Sequence, residues 1–549
     1  MAGSVRGVPL EELRPRPDDA ERAKRYCADG SWSDDTLGTT LAAGLADAPK
    51  NVVSFRSDVR PWRGTFAEAA DRARRVAGGL RAAGVQPGEP VAFQLPNWPE
   101  AGFLFWAIAF LGAIPVPIVH FYGPKEVEFI LRQSGARYLV TADRFGHLDY
   151  LANLASLRPT LPALEQVWIV GDDVPGDARP FAPLFDADPI DGPVPADPSA
   201  PALIAYTSGT TADPKGVVHS HRTINFEIRQ LAGLDANRGL PMLVGAPVGH
   251  GIGLLAALLL PVYKREPLHL IDVWDPGRVL AAMIEDDLSS GSGSTYFLTS
   301  LLDHPDFTEK HAERMRRIGL GGSPVPAAVG ERAERLGIST VRSFGSTEHP
   351  SITGCTHDMP REKRLHTDGV PMLGVEMELR DEDGKRVGPG EPGEIFSRGP
   401  DCFIGYTDPA LTAECFDAEG WFATGDVGVL DEDGYLTIVD RKKDIIIRGG
   451  ENISALEVEE QLVRLPGVAE VAVVAAPDER LGEHGCAFVR MQPGAGDAPE
   501  LETIREQLAA AGLAKQKWPE EVRQVDDFPR TPSGKIQKFV LRQRLREEA

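Results

Sequence analysis

Apolar residues fall along the first part of the chain in two alternating rhythms. Phe66 to Gly84 spaces them at a helical period with Arg and Glu between, and a similar pattern starts at Glu100 and runs again over Lys125–Ser134. Short unbroken apolar runs separate these stretches at Val91–Leu95, Val116–Val119 and Tyr138–Thr141. The first rhythm marks helices with one buried face, and the second suits strands covered on both sides. Their repetition predicts βα units and a largely parallel sheet with helices on both faces. Ala101 to Phe121 reads as 21 mostly uncharged residues, long enough to cross a bilayer. Pro115 and Pro117 break its second half, so a buried helix followed by a strand is the expectation.

Beyond Asp440 the rhythm changes. Arg441-Lys442-Lys443-Asp444 leads into an apolar strand, Ile445–Ile447, and the pair Gly449-Gly450. A helix is expected from Ser454, whose Ser-x-x-Glu pattern with Glu457 suits a capped N-terminus. Val471–Ala475 and Cys486–Met491 read as strands, and Glu500–Ala511 as a helix. The pattern predicts an α/β protein with a large N-terminal body of mixed and parallel sheets flanked by helices, 1–440. A small mobile α+β domain, 441–549, follows it across a short charged hinge. Pro- and Asp-rich stretches near Gly171–Pro201 read as surface connections.

Composition narrows the partners. With 58 Lys and Arg against 81 Asp and Glu, the net charge of −23 argues against nucleic acid or an anionic membrane, both of which need a positive surface. A small anion is still accommodated, because backbone N–H groups and a few cations can hold one locally. The five cysteines, Cys27, Cys355, Cys402, Cys415 and Cys486, are widely spaced and form no CxxC pair, which disfavours a disulfide scaffold or a structural zinc site. The N-terminus lacks the basic-then-apolar run of a signal peptide, so a soluble, cytoplasmic protein is expected. A homodimer is compatible with the sequence.

The densest local chemistry is Tyr206-Thr-Ser-Gly-Thr-Thr-Ala-Asp-Pro-Lys-Gly216, after the apolar strand Ala202–Ala205. Hydroxyls and N–H groups can donate to phosphate oxygens, glycine lets the backbone curve closely round an anion, and Lys215 adds charge. It is not the GxxxxGK[ST] loop, because Gly216 follows the lysine. On composition alone it reads equally as a polar surface turn.

The loop resembles the phosphate-binding signature of the adenylate-forming enzymes, which include acyl- and aryl-CoA synthetases, peptide-synthetase adenylation domains and firefly-type luciferases. Four further elements resemble that family in the same order. They are Phe344-Gly-Ser-Thr-Glu348, Trp421-Phe-Ala-Thr-Gly-Asp426, Asp440-Arg-Lys-Lys-Asp444 with Gly449-Gly450, and Pro532-Ser-Gly-Lys535. The resemblance implies ATP, Mg²⁺ and coenzyme A as cofactors, and a small carboxylic acid as substrate. By resemblance, Thr207, Ser208, Gly209, Thr210, Thr211 and Lys215 hold the β- and γ-phosphates. Thr347 donates to the α-phosphate, with Ser343, Gly345 and Ser346 beside it. Glu348 binds Mg²⁺ together with Thr210. Asp426 accepts from both ribose hydroxyls, flanked by Ile438, and Arg441 contacts the ribose. Phe344 stacks on adenine, where the family often has tyrosine, and Gly321-Gly322-Ser323 line the adenine and acyl sites with backbone. Lys535 bridges carboxylate and phosphate during adenylation. Lys443 is the residue about which the small domain turns, after which Gly449 and Gly450 border a pantetheine tunnel. The resemblance also sets the His250 ring between the acyl tunnel and the adenylate. His219 and His221 read as capping or packing residues, and His349 has no assigned role.

The expected acyl pocket, Tyr296–Ser300 with Gly321, Phe344, Gly345 and the His250 loop, offers no carboxylate to pair a substrate ammonium, which favours an apolar acid over an amino acid. The stretch His120–Ile130 is similar to CoA ligases for alicyclic and medium-chain acids, such as cyclohexanecarboxylate; steroid side-chain and longer fatty acids stay open. Two alternatives remain beside the acid–CoA ligase. One is an acyl-AMP ligase that transfers to a separate carrier protein. The other is a non-catalytic binding relative, which would be marked by loss of Glu348, Asp426 or Lys535; all three are present.

Overall fold

The computed structural model describes residues 20–207, 214–234, 240–442, 444–448, 451–478, 481–511, 513–531 and 534–548. The alternating part of the chain forms a five-stranded sheet with Pro90–Gln94 between Ile114–Ile118 and Tyr138–Ala142, followed by Gln166–Val170 and Arg179–Pro180. All its neighbours run parallel. The long apolar stretch becomes helix Pro99–Phe110 and strand Ile114–Ile118, every residue of both buried. Pro115 and Pro117 cannot extend the helix, but they are tolerated in a strand at the edge of its sheet. Among the described residues no helix is long and apolar enough to cross a membrane. The stretch after Gly171 is mostly surface, although Phe181, Leu184 and Ile190 plug the core.

Smaller sheets extend the body. Strands Pro201–Thr207 and Lys215–Ser220 pair antiparallel with Thr207 opposite Lys215, and Gly405–Tyr406 joins the outer edge beside Val217 and Val218. Arg317–Leu320 lies parallel to Ser339–Phe344. An antiparallel sheet of Glu376–Arg380, Pro392–Arg398, Phe422–Leu430 and Leu436–Arg441 follows.

After Arg441 a mixed sheet of Ile446–Arg448, Glu451–Ile453, Val468–Asp478, Gly482–Met491 and Glu521–Gln524 carries helices Ala455–Leu462, Leu501–Ala510 and Lys538–Glu548. Its apolar clusters draw on residues from Ile446 onward, so this unit buries a core of its own. The strands are longer than the alternation suggested, because Val468–Asp478 and Gly482–Met491 pair along almost their whole length. Ser454 caps its helix as expected by accepting from Glu457 N at 3.1 Å. Asp440 reaches across from the preceding sheet, its Oδ2 accepting from Ala455 N at 2.7 Å. A carboxylate at a helix N-terminus satisfies otherwise unpaired donors and complements the helix dipole.

Candidate active site

A continuous cavity of about 1370 Å³ lies between the large body and the small C-terminal unit. Of the residues singled out in the sequence, it is lined by Thr207, Lys215, His250, Gly321, Gly322, Ser323, Ser343, Phe344, Gly345, Ser346, Thr347, Glu348, Asp426, Ile438, Arg441 and Lys535. Ser208, Gly209, Thr210, Thr211, Lys443, Gly449 and Gly450 lie outside the described residues. The described ends of the phosphate-type loop are held by the hairpin register of Thr207 and Lys215. The Lys215 ammonium sits 5.2 Å from the Tyr406 ring centroid.

The loop after strand Ser339–Phe344 is shaped by close backbone approach. Ser346 N donates to His349 O at 2.9 Å, and a Cβ on Gly345 would lie 1.9 Å from Pro350 O. Only glycine fits there. His219 fixes the next residue: Nε2–H donates to Thr347 O at 2.8 Å, while Nδ1 meets Thr223 Oγ1 at 3.2 Å. Burial pushes the His219 pKa down, which matches a neutral ring whose two nitrogens are both used. Glu348 Oε1 accepts from the Tyr406 hydroxyl at 2.7 Å, and Glu348 O accepts from Phe403 N at 2.8 Å. His349, unassigned in the sequence, is fully buried. It meets Ser397 Oγ at 2.8 Å through Nδ1 and Asp401 Oδ1 at 3.3 Å through Nε2. His221 is a packing residue, its Nδ1 accepting from Leu37 N at 3.0 Å.

Across the cavity, Asp426 and Arg441 face each other in the register of their strands, with Arg441 Nε 3.0 Å from Asp426 Oδ1. Gly425 beside them has φ +74°, which favours glycine. Gly322 is also left-handed at φ +73°, and a Cβ there would meet Ile252 Cδ1 at 2.6 Å. His250 caps the short helix Gly251–Gly253, its Nδ1 accepting from Ile252 N at 3.3 Å. Burial pushes its pKa down to about 4, so the ring is neutral near pH 7.

Lys535 lies on a tight turn: Thr531 N donates to Lys535 O at 2.6 Å and Lys535 N to Thr531 Oγ1 at 3.1 Å. The turn sits against the large body, since a Cβ on Gly534 would lie 3.0 Å from Ser294 Oγ. The cavity is also lined by apolar side chains, among them Leu203, Ile224, Leu231, Val244 and Leu255. The expectation of a pocket without a carboxylate does not hold for the whole cavity: Glu227, which the sequence reading missed, lines it one helical turn from Ile224 and Leu231 on the same face. Ser351 Oγ donates to Glu227 Oε1 at 2.8 Å. Burial and the adjoining Asp401 carboxylate raise its pKa well above the ordinary carboxylate value.

A cavity that gathers Thr207, Lys215, a buried carboxylate paired with arginine, a separate carboxylate and a lysine among apolar residues has the make-up of an enzyme active site. Models of the AMP-binding enzyme family and of its C-terminal domain match residues 46–407 and 457–535, and the chain belongs to this family. It is 32% identical over 528 residues, covering 95% of this chain and 92% of its relative, to the medium-chain fatty-acid–CoA ligase of Escherichia coli (strain K12). It is 35% identical over 500 residues to the 3-[(3aS,4S,7aS)-7a-methyl-1,5-dioxo-octahydro-1H-inden-4-yl]propanoyl:CoA ligase of Rhodococcus jostii (strain RHA1), covering 87% and 93% of the two chains. The fold matches ATP-bound MatB from Rhodopseudomonas palustris with a TM-score of 0.82 and 28% identity, over 94% of this chain and all of the other.

Proposed function

We propose that this protein is an AMP-forming acid–CoA ligase for an apolar carboxylic acid of fatty, alicyclic or steroid side-chain type. The observation that carries the reading is the cavity that Thr347, Glu348, Asp426, Arg441 and Lys535 share with apolar residues such as Leu203, Val244 and Leu255. In the first step a substrate carboxylate oxygen bonds to the α-phosphorus of ATP and pyrophosphate leaves. In the second, the CoA thiolate attacks the acyl-adenylate carbonyl and AMP leaves.

Each side chain has a part that its chemistry supports. Asp426, in its ion pair with Arg441, accepts from the ribose hydroxyls. Phe344 offers adenine a flat apolar face. Thr347, steadied through its carbonyl by His219, donates to the α-phosphate, and Lys215 and Lys535 offset the charge that gathers there. The His250 ring, neutral at working pH, separates the adenylate from the tunnel without adding a charge. Among the described residues no three His, Cys, Asp or Glu gather as a metal cage. Mg²⁺ commonly takes one or two carboxylates and completes its shell with phosphate oxygens and water. Glu348, oriented by Tyr406, would hold it, and the ion would offset negative charge on the phosphates.

The Lys535 turn, which approaches Ser294 at Gly534, corresponds to the first step, and withdrawal of the small domain, 441–549, about the hinge would admit CoA for the second. The need for ATP and CoA together fits a cytoplasmic enzyme. The test is AMP and thioester formation with ATP, Mg²⁺ and CoA over acetate, hexanoate, cyclohexanecarboxylate, benzoate, palmitate and a bile acid. Thioester with an apolar class supports the ligase. Pyrophosphate release without thioester overturns it in favour of a carrier-protein acceptor.

A further inference from the structure

Arg530 precedes the lysine turn and touches three parts of the molecule at once. Its Nη1 donates to Gly534 O at 3.2 Å, inside the turn that carries Lys535. Nη1 and Nη2 grip Glu470 on strand Val468–Asp478, at 2.9 and 2.5 Å, and Nη2 also reaches Asp527 Oδ1 at 3.0 Å. The guanidinium carbon stands 5.4 Å from the ring centroid of Tyr296, on helix Thr295–Leu302 of the large body. A bridge between Arg530 and Ile536 closes the base of the turn. The side chains of Arg530 and Glu470 are 15% and 23% exposed, so bulk water screens the pair little.

These contacts differ in what a rotation of the small unit would do to them. The Glu470, Asp527 and Gly534 contacts lie within that unit and would travel with it. The stacking on Tyr296 crosses between the units and would break. A planar, bidentate guanidinium can hold a carboxylate along one edge while its face lies on a ring, which an ammonium cannot do.

We propose that Arg530, braced by Glu470 and stacked on Tyr296, is a positioning residue that seats Lys535 for acyl-adenylate formation and takes no part in thioester formation. This rests on the two-step reading of the site given above. Lys535 bears on a transition state whose geometry tolerates little displacement, and a misplacement of about 1 Å can cost on the order of 100-fold in rate. Glu470 keeps Arg490 as a partner at 2.6 Å, so removing Arg530 does not strand a lone carboxylate.

The experiment measures the two half-reactions separately in the full-length enzyme. Adenylation is followed by ATP–pyrophosphate exchange, and thioester formation by CoA consumption from synthetic acyl-adenylate. Arg530→Met should lower the kcat of exchange roughly 10- to 100-fold with the KM for ATP and acid little changed, and leave thioester formation within about twofold. Arg530→Lys should fall between Arg530→Met and the parent. Tyr296→Leu, a change in the other unit at a cavity-lining residue, should lower the kcat of exchange at saturating acid about 2- to 10-fold more than thioester formation, which weaker acid binding alone would not do. It keeps the test open should Arg530→Met fail to fold. Equal loss in both half-reactions, or no loss in exchange, overturns the proposal. Lys535→Ala is measured alongside: if it too slows both steps equally, the two-step reading falls and this proposal with it. A selective Lys535→Ala beside a non-selective Arg530→Met refutes the role of Arg530 alone.

Discussion

Replacing Asp426 by asparagine keeps the shape of the side chain and removes its charge. The Asp426 side chain is 7% exposed and lies 3.0 Å from the guanidinium of Arg441, itself 33% exposed, so solvent can compensate the arginine once its partner is neutral. What changes is the quality of the bonds to the ribose. Hydrogen bonds to a charged group contribute about 1.5–3 kcal/mol and neutral ones about 0.5–1.5, a difference of about 1–1.5 kcal/mol per bond. Two ribose hydroxyls then make about 2–3 kcal/mol, or roughly a 30- to 150-fold rise in the KM for ATP at tenfold per 1.4 kcal/mol. ATP–pyrophosphate exchange with ATP and acid varied separately should show that rise with the KM for the acid unchanged. Deoxygenated nucleotides supply the second arm of a cycle. The parent enzyme should bind 2′-deoxy- and 3′-deoxy-ATP roughly tenfold more weakly than ATP, and Asp426→Asn should show under half of that penalty on a logarithmic scale. An unchanged KM for ATP, or an undiminished deoxy penalty in the variant, would refute the assignment of Asp426 to the ribose.

Three further outcomes are expected. Gly345→Ala drives a Cβ to 1.9 Å from Pro350 O, so the Thr347–Glu348 loop must shift. Adenylation should be lost and stability should fall by about 1–3 kcal/mol in a urea titration, and a fully active variant would contradict the tight loop. Burial depresses the pKa values of His120, His221, His250 and His269 to about 4, so between pH 6.5 and 4 the unfolded chain binds protons that the folded chain refuses. Their stability contribution is full above pH 6.5 and is lost as pH falls towards 4, each by up to about 3 kcal/mol. Glu459, pushed up to about 7 by burial, acts in the opposite sense from pH 4.5 to 7, as do Glu227 and Glu460, also raised by burial, but the histidines, with His219 and His311 depressed as well, outnumber them. The urea midpoint should therefore drop steeply from pH 6 to 4, and a flat midpoint would show that these rings accept protons while folded. EDTA should abolish pyrophosphate exchange until Mg²⁺ is restored, and Glu348→Gln should need roughly tenfold more Mg²⁺ to reach half-maximal rate. Unaltered Mg²⁺ dependence in that variant would move the ion elsewhere.

Local rules were enough to read much of the fold. The βα rhythm, the interruption at Pro115 and Pro117 and the helix cap at Ser454 depend on neighbours a few residues apart, and the structure follows each. Element ends moved where pairing partners extended a strand, as with Val468–Asp478 against Gly482–Met491. The site motifs were legible through their resemblance to a family, and the structure brings their described residues to one cavity.

The sequence by itself determined the family and picked out residues that the fold gathers in one cavity, from Thr207 through Glu348 and Asp426 to Lys535. The tertiary structure alone decided how those residues are held. Tyr406 meets Glu348 across 58 positions and His219 meets Thr347 across 128, and nothing in either local pattern announces a partner so distant. Glu227 sits on an otherwise apolar helical stripe, where it reads as an exception until Ser351 and Asp401 surround it. Arg530 looks like a solvated charge beside a turn until Tyr296 arrives from the other unit. Periodicity and spacing report how a residue relates to its own element, whereas orientation and charge state depend on groups that folding brings from elsewhere, and those exist only once the chain has closed around them.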